Sequence, residues 1–228
     1  MRNIFIIIKK QFKDTLKNKT ILIQFILFPF FTIIMENLIH IEGMPKYYFA
    51  RMFSVMYLGM SPTMAVAAII SEEKEKNTLR VLMMANVKPW QYLTGICSYV
   101  WIICMIGACL ITTVIEPGVI PFYMCLMALG FFVSTIVGAC VGICSKNQMT
   151  ATSMVMPIII VLAFAPMLSM FNEKISVVAQ FVYTQQLMNA FGAMSWGAIG
   201  GKGFAIIGVN TLLFIVLFVV AYRKKGLE

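Results

Sequence analysis

Charge is sparse along this chain and leaves long uncharged stretches: 20–35, 52–71, 89–115, 117–145, 147–172, 175–201 and 203–222. A helix needs roughly 20 apolar residues to cross a hydrocarbon layer about 30 Å thick. Six of the stretches meet that requirement and predict spans at about 20–38, 49–70, 92–115, 122–144, 151–171 and 204–222. The seventh is broken by Gln180, Thr184, Gln185, Gln186 and Asn189 and runs into glycines, so it is not expected to span. The expected fold is an all-α polytopic membrane protein, one transmembrane domain over residues 1–228.

The segments between the spans carry their own patterns. Residues 3–19 read as an amphipathic interfacial helix, with Phe5, Ile8, Phe12 and Leu16 at helical spacing beside a stripe of Lys9, Lys13 and Lys17. Pro29 and Pro62 fall inside spans one and two, and Pro157 and Pro166 interrupt span five. Such breaks are tolerated where protein or a cavity satisfies the freed carbonyls. In span four, Gly130, Ser134, Gly138 and Gly142 recur every fourth residue, a pattern that usually serves close helix packing. Residues 172–202 form an outer segment, apolar enough to dip into the bilayer as one or two re-entrant or interfacial helices. Tyr183 and Trp196 are expected at its headgroup boundary.

Composition strengthens the membrane assignment. The chain is 61% hydrophobic and 12% charged, with a mean hydropathy of +0.89, too apolar for a soluble domain of 228 residues. The net charge of +9 suggests nucleic acid only until its placement is considered. With the N-terminus inside, fourteen Lys and Arg residues lie in inner segments and only Lys46, Arg51, Lys174 and Lys202 in outer ones. The positive-inside rule then sets both termini in the cytoplasm, and membrane lipid rather than nucleic acid is the expected contact. The apolar run Ile4–Ile8 is shorter than a signal-peptide core, so the first span is expected to act as its own insertion signal. The six cysteines fall in or beside spans and read as reduced apolar residues; Cys140 and Cys144 lie one turn apart without His or carboxylate company.

Catalytic and coupling chemistry is sparse. "WGAIGGKG" lacks the first glycine of a phosphate-binding loop and the hydroxyl residue after Lys202. The chain has one histidine, His40, and no cluster with metal-ligand spacing. No catalytic residue, bound cofactor or metal is expected, and the chain does not read as an enzyme. Ion-coupled carriers keep ionisable groups near midplane, and here Glu36 is the nearest candidate, close to the outer end of span one.

One stretch departs from all this. In "SEEKEKNTLRVLMMANVKPW", six of the nine residues from Glu72 to Arg80 are charged. It lies in the cytoplasmic loop 72–91. Glu72, Glu73 and Glu75 come first, where a helix N-terminus favours anions. Leu79, Leu82 and Met83 then form the apolar edge of a short amphipathic helix that could dock into a partner's groove. A solvated loop that serves topology is the plainer alternative.

This loop resembles that of the membrane subunits of ATP-binding-cassette exporters of type 2. The family pattern, Glu-basic-Glu-x-Gly-Thr-Leu followed by leucines, is matched by Glu73, Lys74, Glu75, Thr78, Leu79 and Leu82, with Gly95 further on. Asn77 stands at the glycine position, Pro89 lies three residues late, and Ile96 replaces a lysine. "ILFPFF", Ile26 to Phe31, is similar to the family's first-span proline motif.

The resemblance implies a permease subunit that moves a hydrophobic or amphipathic peptide, antimicrobial, drug or lipid-like molecule out of a cell. ATP and Mg would sit on a separate cytoplasmic ATPase that grips Phe12, Lys13 and the 72–86 segment. A second permease chain, identical or similar, would complete a path lined by Phe53, Met56, Met60, Met64, Met156 and Phe164. The plasma membrane of a bacterium is the expected location. A non-transporting scaffold or sensor subunit, and a carrier relying on Glu36, are the alternatives.

Overall fold

A computed structural model describes residues 2–39, 42–43, 45–193 and 200–226, without the side chains of Arg2 and Thr20. Eleven α-helices follow one another among the described residues. They are α1 (Arg2–Lys17), α2 (Lys19–Leu38), α3 (Tyr48–Glu75), α4 (Thr78–Met84), α5 (Pro89–Ile111), α6 (Ile120–Cys144), α7 (Gln148–Ile159), α8 (Ala165–Ser169), α9 (Glu173–Ala179), α10 (Tyr183–Ala193) and α11 (Gly201–Lys225). No strand occurs among them. Among the described residues, six helical stretches are long and apolar enough to cross a membrane: Ile21–Leu38, Tyr48–Glu75, Pro89–Val114, Pro117–Cys144, Gln148–Ser169 and Gly201–Lys225.

α3 is the hub. It packs most extensively on α6 and also against α2, α5, α7 and α10, while α11 lies outside on α6. The small-residue stripe of α6 forms the α3 seam. A Cβ at Gly138 would stand 2.6 Å from the Thr63 carbonyl oxygen, and one at Gly142 would stand 2.8 Å from Ile70 Cβ. At Gly130 the nearest atoms are side-chain tips of Leu58 and Leu187. The stripe therefore sets how closely two backbones approach, as small-residue packing requires.

Hydroxyl groups answer the two prolines of the inner helices. Pro29 has no N–H to offer the Phe25 carbonyl four residues back, and the Tyr57 hydroxyl donates to that oxygen at 3.2 Å. Pro62 likewise frees the Leu58 carbonyl, and Ser134 Oγ donates to it at 2.6 Å from α6. Buried backbone groups without water must find such partners. Around Pro166 the solution is different: Ile160–Phe164 winds as a π-helix, with the Ala165 N–H donating to Ile160 O.

Of residues 173–193, α9 packs on α8 and leaves Val177 and Val178 exposed, whereas α10 packs against α3, α6 and α11. Phe181 O, between α9 and α10, accepts from Asn210 Nδ2 at 2.9 Å, well inside α11. Tyr183 begins α10 fully buried, its hydroxyl 2.6 Å from Ser134 Oγ, past the midpoint of α6. The headgroup position expected of Tyr183 is thus corrected: a phenol with a buried hydroxyl partner sits in the core. Trp196 and His40 lie outside the described residues.

Candidate functional site

The charged stretch does not begin a helix; it ends one. Glu72, Glu73 and Glu75 belong to the last turn of α3, which runs past the apolar span to Glu75. Acids there oppose the helix dipole, so each needs a compensating partner. Glu73 is 6% exposed and accepts from Gln11 Nε2 at 2.6 Å, and it pairs with the Lys10 ammonium. Glu72 pairs with exposed Lys76 one turn on, and that contact holds the Lys76 ammonium above its ordinary range. Glu75 reaches the N-terminus of α7, accepting from the Gln148 N–H at 2.9 Å, where a helix favours an anion. Lys74 turns the other way and donates to Ile143 O at 2.8 Å, at the end of α6. One turn of α3 is therefore tied to α1, α6 and α7 together.

The link to α4 is a single left-handed residue. Asn77 has φ 56° and ψ 12°, a conformation that Asn tolerates and most other side chains avoid. Thr78 Oγ1 donates back to Glu73 O at 3.2 Å. The chain then turns into α4 with Leu79 buried and Leu82 and Met83 half-buried against the main core. This corrects the expected docking edge. Burying a leucine contributes about 1.5–3 kcal/mol, and the bundle itself takes that gain. The outward face of α4 is Arg80, Val81 and Met84, the last 74% exposed.

α1 completes the same end of the bundle. Its buried face is Ile7, Gln11 and Thr15, four residues apart, packed along α5. Asn3 Nδ2 donates to Gln91 Oε1 at 3.1 Å, and Gly95 leaves room for Ile7, whose Cγ2 would lie 2.9 Å from a Cβ there. Phe5, Phe12 and Leu16 stand exposed on a different face, with Lys13 exposed beside Phe12. Phe12 and Lys13 therefore share this end with Glu73 without taking part in its contacts. A cleft of about 670 Å³ opens between α1, the start of α2 and the end of α3, lined by Asp14, Lys17, Glu72, Glu73 and Lys76 among others. Glu73 lines it, and the buried Tyr92 hydroxyl lies close enough to the Glu73 carboxylate to interact with it.

The remaining candidates gather on one side of α3. Phe53, Met56, Met60 and Met64 are half-buried along a single face, and Met156 and Phe164 are exposed on the neighbouring α7 and its π-helical continuation. Met60 and Met64 border the small cluster of Ala67, Val141, Val155, Ile159 and Ala163 that joins α3, α6 and α7. Phe53 stacks against Phe31 of α2. Glu36 Oε2 accepts from the Ala50 N–H at 2.9 Å and so caps the start of α3. No group of three or more His, Cys, Asp or Glu among the described residues could hold a metal ion.

Two features escaped sequence reading. The buried face of α1 carries Gln11 and Thr15, so its signal was hidden beneath the more apolar stripe. Tyr183 and Ser134 pair across elements far apart in the chain, which no local pattern reports. In comparisons with known proteins, the chain matches no family model and no curated protein is significantly similar to it.

Proposed function

We propose that this chain is the membrane subunit of an ATP-driven exporter of the type 2 ATP-binding-cassette kind, working as a pair around a central path. The observation that carries the proposal is the joint at the end of α3. Each residue of the Glu-x-Glu-x-x-Thr-Leu motif has a mechanical task there: Glu73 holds α1, Glu75 holds α7, and Thr78 and Leu79 fasten α4. A force applied to α4 and α1 from the cytoplasm would therefore reach α3 and α7, the helices that bear the path candidates.

The orientation expected from charge places this joint, both termini and α1 on the cytoplasmic side, with α1 lying at the membrane surface on Phe5, Phe12 and Leu16. It makes α9 and α10 a re-entrant hairpin of the outer leaflet. A cytoplasmic ATPase would press on the outward face of α4, especially Val81 and Met84, and on Phe12 and Lys13 of α1. The open face of Phe53, Met56, Met60, Met64, Met156 and Phe164 would meet a second permease chain. Flexible methionines and flat aromatic rings suit a hydrophobic or amphipathic cargo. ATP and Mg would be held by the partner ATPase.

One observation favours a second reading. Glu73, Lys74 and Glu75 are spent on internal contacts, as they would be in a scaffold or sensor subunit that needs no nucleotide-driven motion. A carrier coupled through Glu36 has less support, because that carboxylate is engaged in capping α3. Co-expression with the ATPase encoded beside this chain separates the two main readings. A stable complex with altered ATP turnover supports the exporter; no complex supports the scaffold.

A further inference from the structure

A second cleft, of about 1160 Å³, lies between α4, the start of α5 and the end of α11. Lys74, Arg80, Lys88, Lys224 and Lys225 line it, and no Asp or Glu among the described residues does. None of the five pairs with a carboxylate among the described residues. Two of them crowd one spot: Lys74 donates to Ile143 O and Lys225 to Cys144 O at 3.0 Å, and their charges repel. Lys74 also donates to Ser145 O at 3.5 Å, and each ammonium keeps at least one donor free.

An apolar groove of about 520 Å³ lies about one turn further along α5 and α11, closed on its other side by α6. Its walls are Leu93, Cys97 and Trp101 of α5, Phe132 and Ile136 of α6, and Phe218 of α11. Tyr222 of the basic cleft stacks on Phe218 of the groove, with ring centres 6.3 Å apart, so one wall runs unbroken from cationic to apolar. On α5 the passage from Pro89 to Leu93 does the same within about one turn.

We propose that the cleft and groove together bind one anionic phospholipid, its phosphate among the five cations and an acyl chain against Trp101 and Phe218. Charge complementarity selects the headgroup, since basic pockets between transmembrane helices attract anionic lipid heads. The groove selects a lipid over a free phosphate. Only a bilayer around the six helices is required, so the assignment stands apart from the export proposal.

Native mass spectrometry of the purified chain in detergent tests it, using phosphatidylglycerol and phosphatidylcholine with the same acyl chains. Wild type should retain the anionic lipid preferentially. Removing Arg80, Lys88 and Lys224 together as glutamines should weaken it by about fivefold per cation, about a hundredfold in all, and leave phosphatidylcholine unchanged. Ser98→Trp, which fills the groove, should weaken both lipids. Lys13→Gln with Lys17→Gln on α1 should change neither. Equal retention of the two lipids overturns the proposal, as does an unaffected triple variant. Loss of preference in the α1 variant reduces the effect to general surface charge, and displacement by glycerol phosphate makes the cleft a site for soluble anions; either result refutes it.

Discussion

Gln11 of α1 donates a 2.6 Å hydrogen bond to Glu73 on the last turn of α3, and both side chains are more than nine-tenths buried. Sixty-two positions separate them in sequence. The contact fixes α1 to the hub helix and leaves Phe5, Phe12 and Leu16 exposed on another face. Glu73→Ala leaves the Gln11 amide without its acceptor and should cost about 1–3 kcal/mol, the usual penalty of an orphaned buried donor. Glu72→Ala, which removes only a surface pair, should change stability by less than about 1 kcal/mol. Thermal unfolding in detergent compares the two.

The prolines make a second prediction. Ser134 serves both the Leu58 carbonyl freed by Pro62 and the Tyr183 hydroxyl. Ser134→Ala should therefore destabilise by about 1–3 kcal/mol, and more than Tyr183→Phe, which leaves the Leu58 contact intact. Unfolding midpoints of the two variants give the order directly.

Along the stripe of α6, the neighbour decides the cost of an added methyl group. Gly138→Ala presses on the backbone oxygen of Thr63, which cannot turn aside, whereas Gly130→Ala meets the mobile tips of Leu58 and Leu187. The first should lose about 1–3 kcal/mol and the second less. Thermostability measured by size-exclusion chromatography after heating reads the difference.

A pH dependence belongs to the loops at the opposite end. Exposed Lys46 and Glu116 form an ion pair that joins the loop before α3 to the loop after α5. The Lys46 contact holds the Glu116 carboxyl below its ordinary 4.5, and Glu116 holds the ammonium above its ordinary 10.5. A depressed carboxyl contributes stability above its ordinary value and loses it as pH falls through the depressed one. The raised ammonium contributes below its ordinary value and loses this as pH rises through the raised one. The small stability gap between wild type and Glu116→Gln should be present at neutral pH and close at both extremes. Unfolding temperatures across the pH range follow it.

The six long apolar helices were legible because hydropathy alone marks them. The expected span at 122–144 is α6 from Ile120, and that at 204–222 lies within Gly201–Lys225. The end of α3 was not legible for a physical reason. The apolar run stops at Ile70, but a helix stops only where its hydrogen bonds do, and Ser71–Glu75 continue the ladder through polar residues. The direction of α4 was hidden similarly. Leu79, Leu82 and Met83 form an apolar edge that fits a partner or the chain's own core, and only the turn at Asn77 decides which.

Burial of that edge also decides how coupling must be tested. Leu79→Asp would damage the fold, since a charge would enter the core. Val81→Asp with Met84→Asp alters only exposed positions. The decisive measurement for the export proposal is ATP hydrolysis by any ATPase encoded beside this chain, alone and co-purified with this chain or with the double variant in nanodiscs. ATP-driven export requires a complex with altered turnover for wild type, and loss of both complex and effect for the variant at unchanged thermal stability. An ATPase that ignores the wild-type chain, or binds the double variant equally well, contradicts it.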